Sequence, residues 1–338
     1  MHCRIFEEKS AILIIIKYAV LTAICFISCL DFEFESEYED INGIYLEHVA
    51  AYDIYGQKVI IDNTLGYIAN DDTLLIYNIE DVDSIFLLTT YNAASTIRDF
   101  TIKGDYAYIA GISGLEIIDL NGSSPTQIGM LTIPSYPQKI RVLDDRAYLT
   151  SGGWPYFGNR FDIVDITDKT NPVFLDSISF DNEITHMEVD SCFAYILLYN
   201  DDFHIMDLRQ PGSPSYVYSL LDTDTTWVTS FALDGNYLHF SCRNLEVDKL
   251  ATYRFSDDEL KQTSEIKCPV LFRRLIIDGS FGLGLPLSYI YLFELIDHAR
   301  PHIAEYIESE GDILNGTLDN NYIYLLSPLR IIEIKEVE

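Results

Sequence analysis

The strongest constraint on this chain is a phrase that it keeps repeating. Asp105–Leu120 reads Asp-Tyr-Ala-Tyr-Ile-Ala-Gly-Ile-Ser-Gly-Leu-Glu-Ile-Ile-Asp-Leu. Two short runs of β-branched and aromatic residues flank Gly111 and Gly114, the pattern of a half-buried hairpin. Taking the position of Tyr108 as an anchor, copies occur at Tyr67, Tyr108, Tyr148, Tyr195, His239, Leu283 and Tyr324, in steps of 41, 40, 47, 44, 44 and 41 residues. A period of about 40–45 residues with several short strands per unit is the signature of a β-propeller.

The copies agree beyond the anchor. Eight and six residues upstream lie apolar pairs such as Val59/Ile61, Phe100/Ile102, Ile140/Val142 and Met187/Val189, a period-2 pattern that marks the innermost strand of each blade. Turns such as Lys103-Gly104, Asp234-Gly235 and Asp278-Gly279 connect this strand to the anchor strand. A third strand follows in every unit, Leu75–Ile79, Glu116–Leu120 and Asp162–Ile166 among them, and an outer strand follows in most, as in Val173–Phe180. Unit seven stops after its third strand, Arg330–Ile334. Residues 44–51, Ile-Tyr-Leu-Glu-His-Val-Ala-Ala, resemble an outer strand and precede the first inner one. Paired beside Arg330–Ile334 they close the ring and leave no bare radial edge. The expectation is a single all-β domain, a seven-bladed β-propeller over residues 44–338, closed by an N-terminal strand.

Ile163-Val164-Asp165-Ile166-Thr167-Asp168 followed by Asn171-Pro172 resembles the LVIVD repeat, as do Tyr106–Ala110 and Gly114–Asp119. The resemblance runs from about residue 44 to the C-terminus and is strongest in units two to four. It implies a secreted or envelope-attached propeller of bacterial type and no defined enzymatic activity. The repeat's aspartate is kept at Asp119, Asp165 and Asp207 but replaced by Asn78, Arg254, Glu294 and Glu333 elsewhere, which argues against a catalytic role.

With 53 acidic against 22 basic residues the net charge is −31, which excludes nucleic acid as a general partner. Of six cysteines, Cys3, Cys25 and Cys29 lie near the N-terminus. Cys192, Cys242 and Cys268 show no zinc spacing and read as small buried hydrophobes.

Arg4, Lys9 and Lys17 precede an apolar run from Tyr18 to Ile27, then Ser28 and Cys29. This is the layout of a secretory signal, residues 1–28. The Ile-Ser-Cys ending resembles a bacterial lipobox, which implies that Cys29 is lipidated; the rival is an uncleaved membrane anchor. Residues 29–43 are dense in Asp and Glu and read as an extended tether. The expected address is the outer membrane or cell surface of a bacterial envelope, held through an N-terminal lipid.

No phosphate loop, nucleophile motif or metal spacing stands out, so neither a cofactor nor a metal is expected. Phe281-Gly282-Leu283-Gly284 reads as a second strand, and the histidines, His239 included, as structural. Unit three carries the long insertion Ser151–Arg160, with Trp154, Tyr156, Phe157 and Arg160. The lead-in to the fifth inner strand carries the other tryptophan, Trp227. Both loops belong to one rim of a propeller, where aromatics stack on sugars or anchor a protein, or else pack on a blade. Lys58, Arg98, Lys139, Arg141, Arg273 and Arg274 sit on or just before inner strands. Two readings follow: a positive funnel in the channel, or cations paired locally with Asp99, Glu188 and similar neighbours. The favoured function is an envelope lipoprotein that binds a protein or glycan. A carbohydrate-active lyase or hydrolase is the alternative, and it requires carboxylates clustered with a histidine or arginine at the channel mouth.

Overall fold

The computed structural model describes residues 44–122, 124–152, 159–210, 214–220, 226–309, 313, 315–319, 321–326 and 328–336. These form 28 strands, β1–β28 in chain order, arranged as seven four-stranded antiparallel sheets. Among the described residues there is no helix. The inner strands of blades one to seven are β2 (Lys58–Asp62), β6 (Ile97–Lys103), β10 (Pro137–Leu143), β14 (Ile184–Val189), β18 (Thr226–Asp234), β22 (Arg274–Asp278) and β26 (Asn315–Asp319). Each approaches the next around the ring, and β26 returns to β2.

Ring closure follows the expected route. β1 (Ile44–Tyr52) pairs antiparallel with β28 (Leu329–Glu336), from Ile44 opposite Glu336 to Tyr52 opposite Leu329, and forms the outer strand of blade seven. The Tyr52 hydroxyl donates to the Val82 carbonyl at 2.6 Å, tying the closing strand to blade one.

The core is a set of seven apolar seams, one between each pair of neighbouring blades. All seven anchor residues are buried in them. This explains the repeat's alternation: one face of each strand packs on the preceding blade and the other on the following blade. Gly114, the second glycine of the repeated phrase, has φ +123°, and a Cβ there would lie 2.1 Å from the Leu131 carbonyl oxygen. Only glycine fits that turn.

The repeat's aspartate is a turn cap. Asp119, Asp165 and Asp207 end third strands, and their Oδ1 atoms accept the backbone N–H of Asn121 at 2.9 Å, Thr167 at 2.8 Å and Arg209 at 2.8 Å. Asn78 accepts from Glu80 in the same way at 3.2 Å, so asparagine can replace aspartate in blade one. Cys242 and Cys268 are buried thiols, whereas Cys192 is only half-buried; all three are free.

Candidate functional site: the channel and its loop face

Two layers of side chains line the central channel, and the repeat register assigns them. The upper layer pairs with the second residue after each anchor: Lys58, Asp99, Lys139, His186, Ser230, Arg274 and Asn315, one from each blade and all polar. The lower layer pairs with the anchors themselves and mixes Arg141 and Glu188 with Ile60, Thr101, Ala232, Ile276 and Thr317. Together they enclose a cavity of about 330 Å³, to which all seven inner strands contribute.

The two layers together staple neighbouring blades. Lys58 Nζ meets Asp99 at 2.6 Å and the Phe100 carbonyl at 2.7 Å, joining blades one and two. The other Asp99 oxygen accepts the Ile140 N–H at 2.9 Å, joining two and three. Arg141 grips Glu188 in a bidentate pair at 2.9 and 2.7 Å, joining three and four, and lies 3.5 Å from Asp99. Ser230 donates to the Phe272 carbonyl at 2.9 Å, joining five and six. Arg274 donates to Asn315, whose amide in turn donates to the Gln57 carbonyl at 2.7 Å, joining six, seven and one. At the seam between blades four and five the upper layer offers only His186, whose ring lies 6.3 Å from that of Phe231.

Charge in this space is crowded. Burial together with Arg141 and Arg274 holds the Lys58 ammonium down to about 8, despite Asp99. Lys58, Arg141 and Lys139 outweigh the burial of Asp99 and lower its pKa; Arg141 likewise lowers that of Glu188. Burial, then Lys139 and Arg274, push His186 down to about 4, so its imidazole is neutral at pH 7. Folding a neutral imidazole has a definite pH signature. The unfolded chain takes up its proton below about 6.5 and the fold does not, so stability is fully present above that value and falls between it and about 4. A His186→Gln variant is expected to lose about 3 kcal/mol less than the parent when urea unfolding is compared at pH 7 and pH 4. Equal losses would show that the imidazole charges inside the fold.

The cations singled out in the sequence divide into two groups. Lys58, Lys139, Arg141 and Arg274 line the cavity. Arg98 and Arg273 do not; both are exposed. Arg98 is the extra residue of a β-bulge between Ile97 and Asp99, which turns it out of the channel. Arg273 precedes β22 and makes a backbone bond to Leu285. His186 escaped the sequence reading because it has no partner spacing; its position one layer above Glu188 was the available signal.

Of the rim residues, Trp154, Tyr156 and Phe157 lie outside the described residues, as does Cys29. Arg160 is held within blade three, bonded to Asp162 at 3.1 Å and Ser177 at 2.7 Å. Trp227 stands at the start of β18, 55% exposed. It is not isolated. The loops that lead into inner strands, and those joining second to third strands, share one face and carry Tyr55, Ile112, Tyr199 (75% exposed), Leu245 (78%) and Leu287 at their tips. The opposite face presents turns such as Asp144-Asp145, Asp234-Gly235 and Asp257-Asp258. Among the described residues of its turns, the one exposed large hydrophobic is Ile296. The polar upper layer lies at the apolar-tipped end of the channel, because its residues open the inner strands.

Seven such blades around a lined channel define a β-propeller, and solved propellers agree. The β-propeller domain of Myceliophteria thermophila Cps50 (Swd1) matches with TM-score 0.66 at 12% identity, covering 87% of this chain and 100% of that one. The WD40 domain of Toxoplasma gondii coronin gives TM-score 0.66 at 11% identity, covering 88% and 87%. BamB from Moraxella catarrhalis gives TM-score 0.59 at 12% identity, covering 86% and 100%. At these identities the likeness is one of fold. No curated protein matches the chain by sequence. The family model for the LVIVD repeat matches residues 96–133 and 150–179, which span blade two and much of blade three. The chain is a seven-bladed β-propeller that carries LVIVD repeats.

Proposed function

We propose that this protein is an envelope lipoprotein whose propeller binds a protein or glycan ligand on the apolar-tipped loop face. The observation that carries the reading is the asymmetry of the two faces. Large exposed side chains crowd the tips of one, while the other is acidic and polar. Scattered surface hydrophobes need no explanation, but a concentration of them on one end of a scaffold marks an interaction surface. Rigid blades presenting variable loops supply the geometry for such binding.

The carbohydrate-active reading draws support from one feature, since Asp99 and Glu188 both converge on Arg141 with His186 nearby. Its chemistry runs the wrong way. A glycosidase needs a carboxyl whose pKa is raised so that it can donate a proton. Both of these carboxyls are shifted down by their cations.

Screening the purified protein on a glycan array and against envelope extracts identifies the ligand. Exchanging Tyr199, Trp227 and Leu245 together for serine is then expected to weaken binding by at least about tenfold, with the melting temperature nearly unchanged. Binding that survives this change contradicts the loop-face reading. For the address, Cys29→Ser is expected to release the protein from membranes and abolish labelled palmitate incorporation. Retention of the variant in membranes favours the uncleaved anchor.

A further inference from the structure

We propose that the upper layer of the channel is a binding site for a small dianion, a phosphate or dicarboxylate group, held between Lys139 and Arg274 with His186 beside them. The site is separate from the loop-face surface and does not rest on it.

The argument begins with charge balance. Six charged side chains line the cavity at neutral pH: Lys58, Lys139, Arg141 and Arg274 against Asp99 and Glu188. Asp99 is bonded to Lys58 and Glu188 to Arg141. Among the described residues Lys139 and Arg274 have no carboxylate within ion-pair distance. The channel therefore keeps two positive charges in a protein whose net charge is −31.

The second observation is independent of charge. His186 Nδ1 is buried and has no hydrogen-bond partner. Such an orphan is costly, because a buried polar atom that folding strips of water needs a replacement partner. Among the described residues it lies at the one seam, between blades four and five, that the two channel layers do not staple. In ring order, Lys139 lies on one side of it and Arg274 two blades away on the other. Burial lowers the pKa of both Lys139 and Arg274 despite Asp99; Arg274 and Arg141 add to the lowering of Lys139, and Arg141 to that of Arg274. Like charges held together without a counterion oppose folding, and a bound dianion relieves all three defects at once. It neutralises both cations and supplies a partner for the imidazole. A cavity of about 330 Å³ admits a phosphate or a short dicarboxylate, together with water.

The test uses the protein purified in detergent, in low-salt buffer at pH 7 free of multivalent anions. Inorganic phosphate, sulfate, malonate and succinate are titrated by calorimetry and by thermal shift. The expected result is saturable binding of at least one of them at one site per chain, competitive among those that bind and weakened by added salt. Phosphate and sulfate against malonate and succinate tell a tetrahedral from a carboxylate ligand. Lys139→Gln and Arg274→Gln are each expected to weaken binding by at least about tenfold. Lys261→Gln, an exposed lysine paired with Glu259, should leave it unchanged. Without anion, Lys139→Gln should melt no lower than the parent, since it removes an unpaired charge; this reading distinguishes a lost site from a damaged fold. Absence of saturable binding of all four anions up to about 10 mM overturns the proposal. So does binding that persists unchanged in Lys139→Gln.

Discussion

A chain that lacks Ile44–Tyr52 is expected to yield no stable monomer. That segment is the whole outer strand of blade seven, paired along β28 from Ile44 opposite Glu336 to Tyr52 opposite Leu329. Ile44 and Leu46 pack in the seam between blades six and seven, and Ala50 and Tyr52 in the seam between seven and one. Removing it strips two adjoining seams and leaves the β28 edge unpaired, an invitation to edge-to-edge association. Propeller closure is cooperative in this sense: each blade is buried only because both neighbours are present. Size-exclusion chromatography and a thermal melt check the expectation, which is aggregation or loss of the cooperative transition. A monomer melting within about 5 °C of the parent would mean that the ring holds without its closing strand.

Arg141→Met is expected to produce the largest effect of any single channel substitution. Arg141 is bidentate to Glu188 and also faces Asp99, so its loss leaves Glu188 without its cation and weakens the hold on Asp99. Removing one partner of a buried ion pair costs about 3–5 kcal/mol. Arg141 and Glu188 keep about a third of their side-chain surface in contact with channel water, 30% and 33%. The expected loss is accordingly smaller, about 2–4 kcal/mol, or roughly 3–6 °C in Tm. The double variant Arg141→Met/Glu188→Leu is expected to regain most of that loss, because no carboxylate is then stranded. If the double variant is as unstable as the single one, packing of the arginine stem rather than the ion pair accounts for the effect.

Much of the fold was legible in the sequence because a propeller repeats one solution to one packing problem. Each seam needs the same inward alternation, so the anchors and the apolar pairs recur even where identities drift to His239 or Leu283. The closing strand was legible for the same reason, as a blade missing its fourth member. Single-residue departures from period were not legible. Bulges between Ile97 and Asp99, and between Ile184 and His186, shift the phase just before the channel layer. That shift sends Arg98 to solvent and His186 into the cavity, although neither residue type announces it. Arg160 resembled a rim ligand because it ends an insertion; the fold turns it back onto Asp162 and Ser177. The apolar tips at Tyr199 and Leu245 went unremarked because turn residues obey no alternation. Their shared face emerges only when the blades are stacked.

The central claim is that ligand meets the loop face. Site-specific photocrosslinking in cells that make the protein tests it most directly. A benzophenone amino acid is placed singly at Tyr199, Leu245 or Leu287 on the loop face, and at Ser191, Asn236 or Ser280 on the opposite face. Benzophenone inserts into C–H bonds of protein and sugar alike, so either class of ligand is captured. The account predicts light-dependent adducts from the loop-face positions, diminished when Trp227 is changed to serine, and none from the opposite face. Adducts from the opposite face alone, or equal yields from both, would contradict it.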